Sequence, residues 1–274
     1  VLTEKIFNTG ELRLNYAEGA NNGPPLLVLH GITMKWQRMH DIFSAFTPMH
    51  QVYTCDFRGH GKSDRAASYT VPDYVRDTAA FLTQHLVEPV ILIGYSLGGL
   101  VAMGLGACLP ERIRGIVLID PPLISSNAGF EAMAYSFVHP WVLRTHHVNT
   151  QKLPLAAIAN LLQEANPEAD EAAALDTAHV LRSVDTGVTA AFINDQLLGD
   201  FSMSAALKAI TSPVLLIHGD ETAGSMVRSS DVTFFQSHVP HGRLARIEGW
   251  GHDVVWQPAA EKVNAHITAF LDTF

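Results

Sequence analysis

Cysteine is nearly absent from this 274-residue chain, with only Cys55 and Cys108 present. Two cysteines cannot build a disulfide framework, and these lack the C-x-x-C spacing of a zinc or redox site. Both lie in apolar stretches and are expected to be buried free thiols. Basic charge is also scarce. Lys plus Arg number 18 against 27 Asp plus Glu, a formal net charge of −9. No basic run interrupts that balance, which argues against a nucleic-acid partner. No stretch reaches the ~18 consecutive apolar residues of a membrane span. The opening Val1-Leu2-Thr3-Glu4-Lys5 has no apolar core of a secretory signal, so a cytoplasmic location is the expectation. Internal repeats, low-complexity tracts and obvious linkers are missing too. What is present is apolar material. A content of 47% hydrophobic and 16% charged residues excludes disorder.

That material is organised in alternating periods. Short aliphatic and β-branched runs stand at Leu26–His30, Val52–Asp56, Val90–Gly94, Ile113–Asp120, Val214–His218 and Leu244–Glu248. Continuous apolar runs of this length read as strands buried on both faces of a parallel sheet. Helix-period segments lie between them, at about Trp36–Thr47, Pro72–Leu86, Leu97–Leu109, Val232–His238 and Ala259–Phe274. Such alternation predicts a doubly wound α/β domain. Lys5–Asn8 and Leu12–Ala17 flank Thr9-Gly10 and read as an antiparallel hairpin at one edge. From Pro121 to Ala209 the strand rhythm stops. Helical segments are expected there at Phe130–Phe137, Leu155–Gln163, Ala169–Ser183 and Thr189–Leu198. The division expected is a core of residues 1–120 and 210–274, with residues 121–209 as a helical insertion.

The sharpest chemical signal is Gly94-Tyr95-Ser96-Leu97-Gly98, which follows a strand and opens a helix. In that context G-x-S-x-G forms a tight turn that exposes a serine hydroxyl at the positive end of the helix. A serine hydroxyl needs a base to take its proton. Of the fourteen histidines the best placed is His252, in Glu248-Gly249-Trp250-Gly251-His252, between the last strand and the last helix. The other histidines show no metal-ligand spacing. A tetrahedral intermediate also needs hydrogen-bond donors for its oxyanion. The early strand end Leu29-His30-Gly31-Ile32 can supply the Ile32 amide, to converge with that of Leu97.

The His30-Gly31 loop, the stretch Asp56-Phe57-Arg58-Gly59-His60-Gly61-Lys62-Ser63-Asp64, the turn at Ser96 and Gly251-His252 come in the order of the α/β-hydrolase family. The chain resembles that family over nearly its whole length. The resemblance implies an eight-stranded, mostly parallel sheet with helices on both faces, a helical cap after strand six, and no cofactor or metal. One piece departs from the usual pattern. The triad acid commonly follows strand seven as Gly-x-x-Asp, but Gly219-Asp220-Glu221-Thr222 puts Thr222 there. Asp120 ends strand six, 24 residues past Ser96, and is the favoured acid; Asp220 is the alternative.

The expected activity is that of a serine hydrolase cleaving carboxylic esters or lactones through an acyl-enzyme. Acyl-homoserine lactones are among the candidate substrates. Thioester hydrolysis, perhydrolysis, C–C hydrolysis and hydroxynitrile cleavage use the same fold and triad. The rival of another class is a non-catalytic ligand-binding receptor, against which the intact Ser96 and His252 argue. The aromatic content of the insertion suits a small-molecule substrate with an apolar acyl part. Candidate substrate contacts are His30, Trp36, Tyr95, Phe137 and Trp141, with Phe130, Met133, Tyr135, Leu161 and Phe192 as further lining.

Overall fold

In the computed structural model, which describes residues 1–123, 138–168 and 170–274, one sheet of eight strands organises the chain. The strands are β1 (Thr3–Asn8), β2 (Arg13–Glu18), β3 (Pro25–Leu29), β4 (Gln51–Cys55), β5 (Val90–Tyr95), β6 (Ile113–Ile119), β7 (Val214–His218) and β8 (Arg243–Arg246). Their order across the sheet is β1-β2-β4-β3-β5-β6-β7-β8. The β1–β2 hairpin is antiparallel to its neighbour β4, and every pair from β4 to β8 is parallel. This is the α/β-hydrolase fold, with a helical insertion after β6.

The central strands are apolar throughout because both faces are covered. Pleating sends alternate side chains to opposite sides. Leu27, Leu29, Val90 and Leu92 join one core cluster, while Leu26, Val28, Ile91, Ile93 and Tyr95 join the other. Helices α2 (Val71–Gln84) and α3 (Leu97–Cys108) pack into the first cluster. The short α1 (His40–Phe43) and the last helix (Ala259–Leu271) pack into the second. Sheet register then sets up the site. Leu29 pairs with Gly94, Tyr95 with Ile119, and Ile119 with Ile217. The chain therefore leaves β3, β5, β6 and β7 at one common edge, where ligands bind in open parallel sheets.

The insertion contains α4 (Val138–Thr150), α5 (Leu155–Ala165), α6 (Glu171–Arg182), α7 (Thr186–Ile193) and α8 (Met203–Ala209). Three of them, α4, α5 and α6, bury a small core of their own, built on Val148, Ile158, Leu162, Ala178 and Leu181. No helix among the described residues is long and apolar enough to cross a membrane.

Several expectations need correction. Trp36–Thr47 is not one helix. It is a 3₁₀ turn at Trp36–Met39 followed by α1, because i→i+3 bonds from Phe46 and Met49 tighten the chain and Pro48 ends it. Helix α4 was not anticipated, since Pro140 and a run of histidines and β-branched residues hide its period. Pro140 sits in the first turn, where amides have no intrahelical acceptor to lose. The segment expected at Thr189–Leu198 starts earlier, at Thr186, where the Asp185 carboxylate accepts from the Gly187 amide at 2.7 Å. Cys55 is buried, but Cys108 is exposed at the surface end of α3. The helix expected at Phe130–Phe137 lies outside the described residues.

Candidate active site

Ser96 follows β5 directly and adopts φ 52° and ψ −116°, a left-handed conformation that a side chain resists. The turn closes so tightly that two flanking residues must be glycine. A Cβ on Gly94 would lie 2.3 Å from the Gly98 carbonyl oxygen, and one on Gly98 would lie 2.4 Å from the Leu29 carbonyl oxygen. The G-x-S-x-G spacing is thus a steric requirement of the turn. Three of the five described non-glycine residues with positive φ, Thr33, Ser96 and Asp120, stand at this sheet edge. Such strain persists only where surrounding structure enforces it, and it gathers at functional sites.

Asp120 caps β6 with φ 43° and no exposed surface. Its carboxylate faces four donors. Oδ2 accepts from His252 Nδ1 at 2.7 Å and from the Met226 amide at 2.8 Å. Oδ1 accepts from the Ser225 hydroxyl and, at 3.4 Å, from the Gly219 amide. A carboxylate this deep needs such a shell, since burial without partners is costly. The contact also fixes the imidazole tautomer. Nδ1 carries the proton it donates to Asp120, so the lone pair is left on Nε2.

Asp220, the alternative acid, is committed elsewhere. Its carboxylate receives the Arg246 guanidinium and, at 2.7 Å, the Gly249 amide. Those donors, Arg246 first, hold its carboxyl below the usual carboxylate range. Asp220 thus braces the base of the loop that carries His252. Thr222 is exposed on the 3₁₀ turn Glu221–Ala223.

The loop after β3 lies beside the Ser96 turn. Among the described residues, neither the Ile32 nor the Leu97 amide donates to a backbone carbonyl. His30 is fully buried with both ring nitrogens occupied. Nδ1 donates to the Gly31 carbonyl at 2.7 Å, and Nε2 accepts from the Phe57 amide at 3.1 Å. Burial lowers its pKa against the raising influence of Asp56 and the Gly31 carbonyl, so the ring is neutral. The two bonds tie the loop after β3 to the start of the loop after β4.

Trp36 and Tyr95, also expected at the substrate, are held by hydrogen bonds within the protein. The Trp36 indole donates to Glu4 at 2.9 Å, and its amide donates to Asp56 at 2.9 Å. Tyr95 is buried against His252, with its hydroxyl donating to the His252 carbonyl at 3.0 Å. Trp141 of α4 is half-buried, and its indole donates to Thr33 Oγ1 at 3.0 Å, which ties the insertion to the loop after β3. Phe192 is packed in the main core, and Leu161 is partly exposed. Phe130, Met133, Tyr135 and Phe137 lie outside the described residues.

Sequence reasoning missed Ser225, Met226 and Gly219 as partners of Asp120. No motif marks them, because they meet the carboxylate only through the pairing of β6 with β7. No group of three or more His, Cys, Asp or Glu gathers as a metal site among the described residues.

The sequence pattern of the family described as "Serine aminopeptidase, S33" matches residues 24–258, most of the chain. The chain belongs to the α/β-hydrolase family. Within that family it is 26% identical to an (E)-2-((N-methylformamido)methylene)succinate hydrolase of Acinetobacter baylyi, across 92% of this chain and 91% of that protein. It is 36% identical to Lipase LipV of Mycobacterium tuberculosis over 101 residues, a match that spans 36% of this chain and 38% of that lipase. The crystal structure of an E-2-(acetamidomethylene)succinate hydrolase superimposes with a TM-score of 0.80 at 21% identity, covering 99% of this chain and 100% of the other. That likeness speaks for the α/β-hydrolase fold alone.

Proposed function

We propose that this α/β-hydrolase is a serine hydrolase that cleaves carboxylic esters or lactones through an acyl-enzyme. The observation that carries the proposal is the pairing of the partly exposed His252 with the buried Asp120, beside the strained Ser96 turn. His252 Nε2 takes the proton of Ser96 while Oγ attacks the substrate carbonyl carbon. The negative charge moves to the carbonyl oxygen, where the Ile32 and Leu97 amides stabilise it. Asp120 holds the tautomer and faces the positive charge that forms on the imidazole. The imidazolium then protonates the departing alkoxide as the ester bond breaks. A water, deprotonated by His252, attacks the acyl carbon and releases the acid and Ser96. In a lactone the alkoxide and acid stay in one molecule.

The preference for an apolar acyl part rests on Trp141 above the loop after β3, and the match to a lipase supports an ester bond as the target. Replacement Ser96→Ala tests the reading. Turnover of a chromogenic short-chain ester should fall on the order of 10⁴- to 10⁶-fold, with the fold intact by circular dichroism. A fluorophosphonate should label the parent at Ser96 and leave the variant unlabelled. Activity within about ten-fold of the parent would reject the serine mechanism.

A further inference from the structure

Tyr95 touches the loop after β3 and the histidine loop and adjoins the serine turn. Its backbone closes β5 opposite Ile119, the residue before Asp120, and its next neighbour is Ser96. Its ring stacks on the His252 imidazole, with centroids 4.8 Å apart and planes 27° from parallel. The same ring meets Trp256 edge-on at 6.2 Å. A Cβ on Gly31 would come within 3.0 Å of its Cε1, so the loop after β3 rests against it as well. The hydroxyl donates to the His252 carbonyl at 3.0 Å. Only 2% of the residue is exposed, which leaves no surface for substrate.

We infer that Tyr95 is a positioning residue for the general base, acting on both the ring and the backbone of His252. The inference rests on the serine-hydrolase reading above. A flat ring against the imidazole restricts its rotation and keeps Nε2 aimed at the serine. The π face also attracts the positive charge that the imidazole gains in taking the Ser96 proton. The hydroxyl pins the His252 carbonyl, so the loop cannot slide along the sheet edge. Burial, together with the charges of Asp120 and Asp253, raises the phenol pKa well above its usual value. The hydroxyl therefore stays a donor. The charged or titratable groups facing His252 from neighbouring elements are Asp120 from β6 and Tyr95 from β5, with Asp253 next along its own loop. An interaction that strengthens as the imidazolium forms raises kcat and leaves KM alone.

Two variants separate the contacts. Tyr95→Phe keeps the ring and removes the hydroxyl, whereas Tyr95→Leu removes both. On a p-nitrophenyl ester, kcat should fall about 3- to 10-fold for Tyr95→Phe and about 10- to 100-fold for Tyr95→Leu, with KM within about two-fold. The rate of fluorophosphonate labelling at Ser96 should fall in parallel. The low-field proton resonance of His252 Nδ1–H against Asp120 should broaden in Tyr95→Leu, a readout independent of hydrolysis. Unchanged kcat and labelling in Tyr95→Phe and Tyr95→Leu would overturn the inference. A rise in KM at constant kcat would also overturn it, by placing the ring in the substrate pocket. If Tyr95→Leu does not fold, kcat and labelling in Tyr95→Phe decide. Should Ser96→Ala retain activity, it is the hydrolase reading that fails, and the Nδ1 resonance still tests the stack.

Discussion

His252 Nδ1 and Asp120 Oδ2 meet at 2.7 Å although 132 positions separate them in the chain. The meeting depends on Asp120 standing at the end of β6, one strand nearer Ser96 than the position after β7. Asp120→Asn keeps the shape but removes the charge and lets the wrong imidazole tautomer form. Turnover should drop by on the order of 10⁴-fold. Asp220→Asn loses only the Arg246 and Gly249 contacts and should stay within about ten-fold of the parent. Both are measured under the same conditions, and a large loss confined to Asp220→Asn would reverse the assignment.

The tie between Trp141 and Thr33 predicts how the insertion acts on substrate choice. Trp141→Phe keeps an aromatic wall but removes the indole bond to Thr33, which adopts a left-handed backbone at φ 59°. Trp141→Ala removes the wall as well. Rates on long acyl esters should fall more than rates on acetyl esters in Trp141→Ala, by about 10-fold or more. Trp141→Phe should lower both chain lengths alike. A panel of p-nitrophenyl esters checks this, and equal loss across all lengths for Trp141→Ala would show that the insertion does not discriminate.

Asp73 predicts part of the acid sensitivity of the fold. Burial opposes its charge, yet the Ser68 hydroxyl, the Thr70 amide and hydroxyl, and Arg76 together hold its carboxyl well below the usual range. The native state therefore takes up this proton at lower pH than the unfolded chain, whose carboxylate titrates near ~3.9. The stabilisation is complete above that value and disappears as pH falls through the lower native pKa. Asp73→Asn should be less stable near neutral pH and lose less stability on acidification. Urea midpoints from about pH 1.5 to 6 test the slope. Parallel curves for parent and variant would contradict the assignment.

Local signals in the sequence were enough for the strands, the hairpin and the serine turn, because each follows from short-range geometry. Apolar runs buried on both faces mark β3 to β7 whatever lies beyond them. Gly94 and Gly98 are dictated by backbone atoms of the turn and of β3, so their spacing around Ser96 carries its own structural context. Helix α4 escaped notice because its buried residues, Val142, Thr145 and Val148, are separated by polar and histidine positions. Its place is set by packing against α6 and α7, not by propensity.

The sequence by itself determined the α/β architecture, the serine turn and the histidine loop, since period, turn sterics and chain order act over a few residues. Only the tertiary structure brought Asp120 rather than Asp220 to His252 Nδ1, recruited Ser225 and the Met226 amide to that carboxylate, and stacked the Tyr95 ring on His252. Those outcomes depend on the register of β5, β6 and β7, which aligns residues distant in the chain at one edge. Two aspartates are alike as letters. They differ in whether donors or a guanidinium surround them, and that is a property of the assembled sheet.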